Sequence, residues 1–356
     1  MTRTYLDHNA TSPLRDEARA AMLAAMDVVG NPSSVHTEGR SAKMLLERAR
    51  AQVADLVGAD VSEIVFTSGA TEAAAFALMH GPRSSTAGGV FEVSQIEHDC
   101  VSSWGMKTLP VDRMGKVNVG ERPWDVALQL ANSETGILQT LPVGIGFCDM
   151  VQAVGKLPVS FTETHALTAC VSAHKLGGPK GVGALIIKAG SHVAALIKGG
   201  GQEMGRRSGT ENIIGIAGFG AAAEAAGRDV AAGRWEEVAE FRNILENALE
   251  AASRTTIFVG KDVARLPNTS CILTPGWKGE TQVMQMDLSG FAISAGSACS
   301  SGKVKASKVL SAMGYSDGDA ASAIRVSLGL ETRQDDILRF ADAWTARLKK
   351  HEMRAA

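Results

Sequence analysis

The sequence predicts an α/β protein with a mostly parallel sheet covered by helices on both faces, followed by a smaller α+β unit. Two observations predict the first unit. Short apolar runs bounded by glycine recur along the chain, and Ala-rich helical stretches alternate with them. A third observation predicts the second unit, because after about Gly233 a charged helical stretch leads into short apolar runs and then further helices.

The individual elements follow this pattern in chain order. The predicted helices are 17–26, 42–57, an Ala-rich stretch after Glu72, and 236–251. The predicted strands are 63–67, 90–93, 126–130, 169–172, 183–187, 270–273 and 291–294. We therefore expect residues 13–232 to form a large domain, and residues 1–12 with 233–356 to form a small one.

Composition restricts the partners and the compartment. The chain has 356 residues, of which 45% are hydrophobic and 21% charged, and its formal net charge of −2 favours neither nucleic acid nor an anionic membrane as the main partner. The five cysteines form neither a disulfide framework nor a set with metal-ligand spacing. An apolar signal region and a membrane-length apolar window are both missing from the sequence, which predicts a reduced, cytoplasmic protein.

The segment from Ser68 to Glu72, which includes Ala70 and Thr71, lies where a predicted strand passes into a helix. Small residues and a hydroxyl at a helix N-terminus expose backbone N–H groups, which suits a bound phosphate. The alternative is an ordinary helix cap.

Lys175 follows an apolar strand within Ser172-Ala173-His174-Lys175 and precedes a glycine-rich turn. A lysine at a buried strand end, flanked by hydroxyl and imidazole donors, can form an imine and help to hold a phosphate. The alternative is a lysine whose amine reaches solvent from the strand end. The glycines favour a ligand, since they let the backbone approach one closely.

Two further strand ends carry polar side chains. Asp149, with Gln152 three residues on, follows an apolar run, and its carboxylate could pair with a ring nitrogen or cap a helix. His98 follows another strand, and its imidazole could stack on a cofactor or be a satisfied interior histidine.

Cys299 and Arg325 lie in the C-terminal part. Cys299 is in a run of nine small residues, 294–302, which favours an accessible, nucleophilic thiol over a buried inert one. Arg325 stands in an apolar strand-like run and needs a partner there, either a substrate carboxylate or an internal acid.

Taken in order, these segments resemble the cysteine desulfurases of the NifS/IscS type, enzymes of the class V aminotransferase fold that depend on pyridoxal 5′-phosphate (PLP). The resemblance runs from Tyr5 to the segment around Arg325, nearly the whole chain. The matching segments are GNPSSVH (30–36), TSGATE (67–72), EH (97–98), NSETG (132–136), DMVQAVGK (149–156), SAHKLGGPKG (172–181), GGGQEMGRRSGTEN (199–212), PNTS (267–270) and GSACSSG (296–302).

The resemblance implies a role for each matched residue. Lys175 would carry PLP on its amine and move protons, and His98 would stack on the ring. The other implied cofactor contacts are Asp149 to the ring nitrogen, Gln152 to the phenolic oxygen, and Ala70, Thr71, Ser172 and His174 at the phosphate, with Thr210 reaching in from the second subunit of a homodimer. Arg325, Ser133 and Asn9 would bind L-cysteine. Cys299 would take its sulfur as a persulfide, release alanine, and pass the sulfur to an acceptor such as an iron–sulfur scaffold protein.

Three departures from the family pattern keep other functions open. Ser133 replaces an asparagine, Asp99-Cys100 replaces small or apolar residues after His98, and the stretches 100–132 and 139–149 are short. The shortening implies missing covering helices. The alternatives are a selenocysteine lyase-like enzyme on the same fold, which would not need Cys299, and a partner-dependent or non-catalytic PLP-binding scaffold.

Overall fold

The computed structural model describes residues 3–80, 91–105, 107–296 and 306–355. Within these ranges there are thirteen strands, and seven of them form the central sheet. The strands are β1 (Thr4–Tyr5), β2 (Ile64–Thr67), β3 (Glu92–Ser94), β4 (Lys107–Leu109), β5 (Val126–Gln129), β6 (Phe147–Asp149), β7 (Thr168–Ser172), β8 (Gly183–Ile187), β9 (Ile257–Val259), β10 (Thr269–Leu273), β11 (Phe291–Ala292), β12 (Ser294–Ala295) and β13 (Ala323–Ser327). The helices are α1 (Asp16–Met26), α2 (Thr37–Val57), α3 (Ala70–His80), α4 (Asp99–Ser102), α5 (Phe161–Thr164), α6 (Ile213–Ala231), α7 (Arg234–Ala252), α8 (Gly279–Leu288), α9 (Lys308–Ala312), α10 (Asp317–Ala320) and α11 (Gln334–Ala355).

The central sheet has the order β2-β8-β7-β6-β5-β3-β4. Strands β4, β3, β5, β6 and β7 run parallel, whereas β8 is antiparallel to both β7 and β2. The direction of β8 follows from its connection. Residues 173–182 join it to β7 and bring Gly183 opposite Ser172, and this connection is shorter than the dozen or so residues that a parallel crossover needs. The prediction of a mostly parallel sheet is confirmed.

Both faces of this sheet are buried against helices. Along β2 the side chains alternate, so that Ile64 and Phe66 join the apolar cluster that includes residues of α2 and α6, while Val65 joins the cluster that includes residues of α3. All residues of β2, β5, β7 and β8 are buried. Burial on both faces explains why these strands read as continuous apolar runs in the sequence.

The C-terminal strands form a second, antiparallel sheet with the order β12-β13-β10-β9. Its core includes Trp277, Phe340 and Trp344, and packs against α7 and α11. The predicted single strand 291–294 is wrong: β11 pairs with β1, whereas β12 pairs with β13. This one stretch of the sequence therefore contributes strands to two different sheets. The domain boundary near residue 233 stays a prediction.

The connection between β5 and β6, residues 130–146, is fully described and contains no helix, in agreement with the shortening that the sequence indicates. The segment instead packs against the second sheet: Ile137 is 1% exposed, forms a β-bridge with Arg265, and shares a cluster with Val259 and Met313. The C-terminal part of the chain thus covers this connection. No helix in the described ranges is both long and apolar enough to cross a membrane.

Candidate active site

A cavity of about 680 Å³ opens at the carboxyl ends of β5, β6 and β7, the edge at which open α/β sheets bind ligands. Within the described part of the chain, every predicted site residue except Thr210 lines this cavity: Asn9, Ala70, Thr71, His98, Ser133, Asp149, Gln152, Ser172, His174, Lys175 and Arg325. Asp149 and Ser172 meet here because the parallel strands β6 and β7 end at one edge, whereas Asn9 comes from the N-terminal segment and Arg325 from β13 of the second sheet. The structure thus brings the predicted side chains together in one place.

Lys175 lies in a short helical turn that directly follows β7. Its Nζ atom donates to the backbone oxygens of Asn9 (2.6 Å) and Ala10 (2.9 Å). The backbone oxygen of Lys175 in turn accepts from Ser12 Oγ at 3.0 Å. The amine is therefore held at the cavity wall by the N-terminal segment, with both of these acceptors being neutral.

The corner formed by residues 68–71 suits an anion. The chain leaves β2 at Thr67, turns at Gly69 and enters α3, so that backbone N–H groups at the helix start face the cavity. Gly183 allows this turn, since a Cβ atom there would lie 2.8 Å from the Gly69 backbone and 2.6 Å from the Val171 oxygen. The Ser68 N–H is already used by Glu72 Oε2 at 2.8 Å.

His174 lies beside this corner as a neutral imidazole. Burial, followed by the positive charges of Lys175 and Lys180, lowers its pKa to about 4. Its Nδ1 atom is 3.1 Å from Thr11 Oγ1. A neutral ring keeps one N–H to donate to an oxygen of a bound anion while adding no charge of its own.

Asp149 ends β6 and is 8% exposed. Its Oδ1 atom accepts from the Val151 N–H at 2.9 Å. Burial raises the pKa of Asp149, while that N–H and the nearby charges of His98 and Lys175 oppose the rise. A buried carboxyl of this kind favours a cationic or N–H partner within the cavity.

Lys156 orients Gln152. It ends the matched segment 149–156, but the sequence predicted no role for it. Its Nζ atom is buried and donates to the Gln152 backbone oxygen (2.8 Å) and to Oε1 (3.3 Å). Gln152 Nε2 donates to the Asn9 backbone oxygen at 3.1 Å. Burial, then the charges of Lys175 and Arg325, lowers the pKa of Lys156 to about 7. The amide of Gln152 therefore turns its nitrogen, a donor, away from Lys156.

Glu97 is a second buried acid that the sequence left without a role. It is 3% exposed, and its Oε1 atom accepts from Ser94 Oγ and the Gln129 N–H, both at 3.2 Å. Its Oε2 atom has no hydrogen-bond partner among the described residues. Burial, followed by the charge of Asp149, raises the pKa of Glu97 to about 8.

Glu97→Gln is expected to stabilise the protein increasingly as pH rises from 5 to 8. The pKa of Glu97 in the folded protein, about 8, exceeds its ordinary value of 4.5. Because the folded state binds this proton more tightly, the stability that Glu97 contributes is fully present below pH 4.5 and is lost as pH rises through 8. Glutamine cannot ionise and avoids that loss. Thermal unfolding of both proteins at each pH measures the difference, and a gap in melting temperature that stays constant with pH would contradict the buried, protonated Glu97.

Arg325 is 4% exposed and pairs with an internal acid, the alternative that the sequence left open. Its Nη2 atom lies 2.8 Å from Asp7 Oδ1, and Nη1 donates to the Ser133 backbone oxygen at 3.0 Å. Its Nε atom is buried and has no partner in the part of the chain that is described. Asp7 and the Ser133 backbone therefore fix the guanidinium through two of its five N–H groups.

Ser133 and Asn9 contact their neighbours in ways the sequence does not predict. The backbone oxygen of Ser133, not its hydroxyl, accepts from Arg325 and from Asn9 Nδ2 (3.1 Å). The Asn9 amide also bonds Thr269 Oγ1 (2.9 Å) and Asn268 Nδ2 (3.0 Å). The side chain of Asn9 thus links Ser133, in the connection between β5 and β6, to the start of β10. Its contact with the substrate stays a prediction.

Two predicted residues remain, Thr210 and Cys299. Thr210 is exposed and does not line the cavity of its own chain. Its segment is anchored by Glu203, which forms a bidentate pair with Arg50 at 2.7 Å, and by Arg207, which pairs with Glu72 at 3.0 Å. Cys299 lies outside the described residues.

The fold and the cavity define a class of enzyme whose lysine, buried acid and anion corner meet at one sheet edge. The model of the aminotransferase class-V family matches residues 4–340, and the chain belongs to that family. A cysteine desulfurase of Cereibacter sphaeroides is 38% identical, over 96% of this chain and 95% of its own length. The NifS-like protein of Rickettsia africae superposes with a TM-score of 0.88 at 30% identity, covering 98% of this chain and 99% of its own. The structure titled SspA in complex with cysteine has a TM-score of 0.73 at 26% identity, covering 92% of this chain and 99% of its own. The predicted fold is confirmed.

Proposed function

We propose that this chain is a cysteine desulfurase, which converts L-cysteine into L-alanine and retains the sulfur as a persulfide on Cys299. One observation carries the proposal: Lys175, Asp149 and the anion corner at Ala70 converge on a single cavity. They do so in a chain of the class V family whose similar relatives include cysteine desulfurases.

The cavity fits PLP as the cofactor. Lys175 supplies an amine, the helix start at Ala70 with Thr71 supplies donors for a phosphate, and Asp149 is a buried carboxyl for a ring nitrogen. Ser172 and the neutral His174 add further donors at the phosphate, and Gln152 would donate to the phenolic oxygen. Bound there, PLP supplies an electron sink for the carbanion that forms at the cysteine α-carbon.

The chain's own groups provide positioning and proton transfer. Asp149 holds the ring nitrogen, Lys175 moves a proton at its Nζ atom, and His98 places its ring against the cofactor. For the substrate carboxylate we assign Arg325, whose charge, position in the cavity wall and N–H groups beyond those bonded to Asp7 and Ser133 suit an anionic ligand. The Cys299 thiolate receives the sulfur.

The working enzyme is a homodimer in this proposal. Thr210 is exposed and does not line the cavity of its own chain, which supports a role at the partner subunit's phosphate site.

We also propose a cytoplasmic location and a protein acceptor for the sulfur, such as an iron–sulfur scaffold. Four cysteines are described, Cys100, Cys148, Cys170 and Cys271, and all are free thiols, as in a reducing compartment. The resemblance of the Cys299 segment to that of sulfur-delivering relatives supports the acceptor.

The function is tested by alanine formation from L-cysteine with a reductant present, in the wild type and in Cys299→Ala. A desulfurase loses turnover in the variant while retaining the visible absorbance of its cofactor. Full turnover in the variant would instead favour the lyase alternative, and no cofactor absorbance in either protein would rule out both enzymes.

A further inference from the structure

Cys100 contacts the imidazole of His98 through two different groups. His98 precedes α4, and its Nδ1 atom accepts the backbone N–H of Cys100 at 3.1 Å. The Sγ atom of the same cysteine lies 2.9 Å from the same Nδ1 atom. Both residues line the large cavity. The amide and the thiol of one residue therefore converge on one ring nitrogen.

This contact decides where the imidazole carries its proton. While the backbone N–H donates to it, Nδ1 offers its lone pair, and the neutral ring then carries its hydrogen on Nε2. A thiol next to an unprotonated nitrogen is placed to donate its S–H. The two donors together fix both the tautomer and the plane of the ring.

Asp99, the other unusual residue after His98, does not have this role. Its carboxylate forms an ion pair with Lys308, and the two side chains are 49% and 59% exposed. The remaining described cysteines are buried, and burial raises the pKa of Cys148, Cys170 and Cys271. Among the described thiols, Cys100 is the one that is partly exposed and lines the cavity.

We propose that Cys100 is a positioning residue that holds His98 in its Nε2–H tautomer and in the ring plane needed against the cofactor. The proposal rests on the desulfurase function for its kinetic consequence, but the hydrogen bonds themselves do not depend on it. Without the thiol, Nδ1 keeps the backbone N–H of residue 100 but loses its second donor, so that bond opens more often and the order of the ring falls without being lost.

The test compares Cys100→Ser, which keeps a donor, with Cys100→Ala, which removes it, both as holoenzyme. Nitrogen NMR of labelled histidine, with His98 assigned through a His98→Gln variant, reports the tautomer directly. We expect the Nε2–H signature in the wild type and in the serine variant, and a shift toward mixed tautomers in the alanine variant. The kcat for alanine formation should fall about threefold to tenfold in Cys100→Ala, less than the hundredfold or more of a general acid–base group. KM should stay unchanged, and serine should restore kcat.

Two results would overturn the proposal. One is an unchanged His98 tautomer and kcat in Cys100→Ala. The other is equal impairment of the serine and alanine variants, which would indicate that the sulfur acts only by its volume. If the wild type forms no alanine, the desulfurase function fails, yet the NMR comparison still tests the Cys100–His98 contact.

Discussion

Lys175→Ala should lower alanine formation from L-cysteine by about three orders of magnitude or more, because this amine both holds the cofactor and moves protons. The structure supports so large an effect: Lys175 lies at the end of β7 in the cavity wall, and its Nζ atom is held by two backbone oxygens at 2.6 and 2.9 Å. The variant should also lose the visible absorbance of a covalently held cofactor. Steady-state assays and absorbance spectra measure the two effects.

A matched control is Lys188→Ala, which removes an exposed lysine that follows β8 in the same sheet. It should leave both turnover and absorbance unchanged. Circular dichroism should show that both variants are folded. A Lys175→Ala protein that keeps near-normal turnover would contradict the assignment of this amine, whatever its spectrum.

The second large effect concerns stability. Arg50→Met should lower the free energy of unfolding by about 3–5 kcal/mol, since it leaves the Glu203 carboxylate buried without its partner. The two side chains are 2% and 1% exposed and meet in two contacts of 2.7 Å. Glu203 also accepts the Phe66 N–H at 2.9 Å, so the pair ties residues 199–212 to β2. Urea titration measures the loss.

The control is Arg3→Met, which removes an exposed ion pair with Asp287, whose side chain is 56% exposed. An exposed pair contributes about 0–1 kcal/mol, so this variant should remain close to the wild type. The double variant Arg50→Met/Glu203→Gln should recover part of the loss, because no buried charge is left. Equal unfolding midpoints for Arg50→Met and Arg3→Met would show that the buried pair contributes no more to stability than the exposed pair does.

Much of the cavity was predictable because its residues follow buried strands. A run that is buried on both faces must be apolar, so a polar residue at its end stands out, as Asp149 and Lys175 do. Resemblance to a known family then assigned the roles. Without that resemblance, the residues predicted only that the site lies at the strand ends.

The remaining contacts depend on long-range pairing that no local pattern encodes. Arg325 meets Asp7 across 318 positions, and the apolar run 291–295 divides between two sheets because of partners elsewhere in the chain. Two contacts had a local signal. Cys100 lies two residues after a cap histidine, and Lys156 lies four residues after Gln152 in a short run of turns, so both pairs are close in sequence. Their burial and direction are set by the assembled fold.

The proposed function requires that sulfur leaves L-cysteine and remains on Cys299. Intact mass measured after incubation with L-cysteine in the absence of reductant, with alanine quantified in the same sample, tests this requirement most directly. We expect one added sulfur, located on the Cys299 peptide, with about one alanine formed per sulfur bound in the first turnover. Alanine without sulfur on Cys299, or sulfur located on another cysteine, would contradict it.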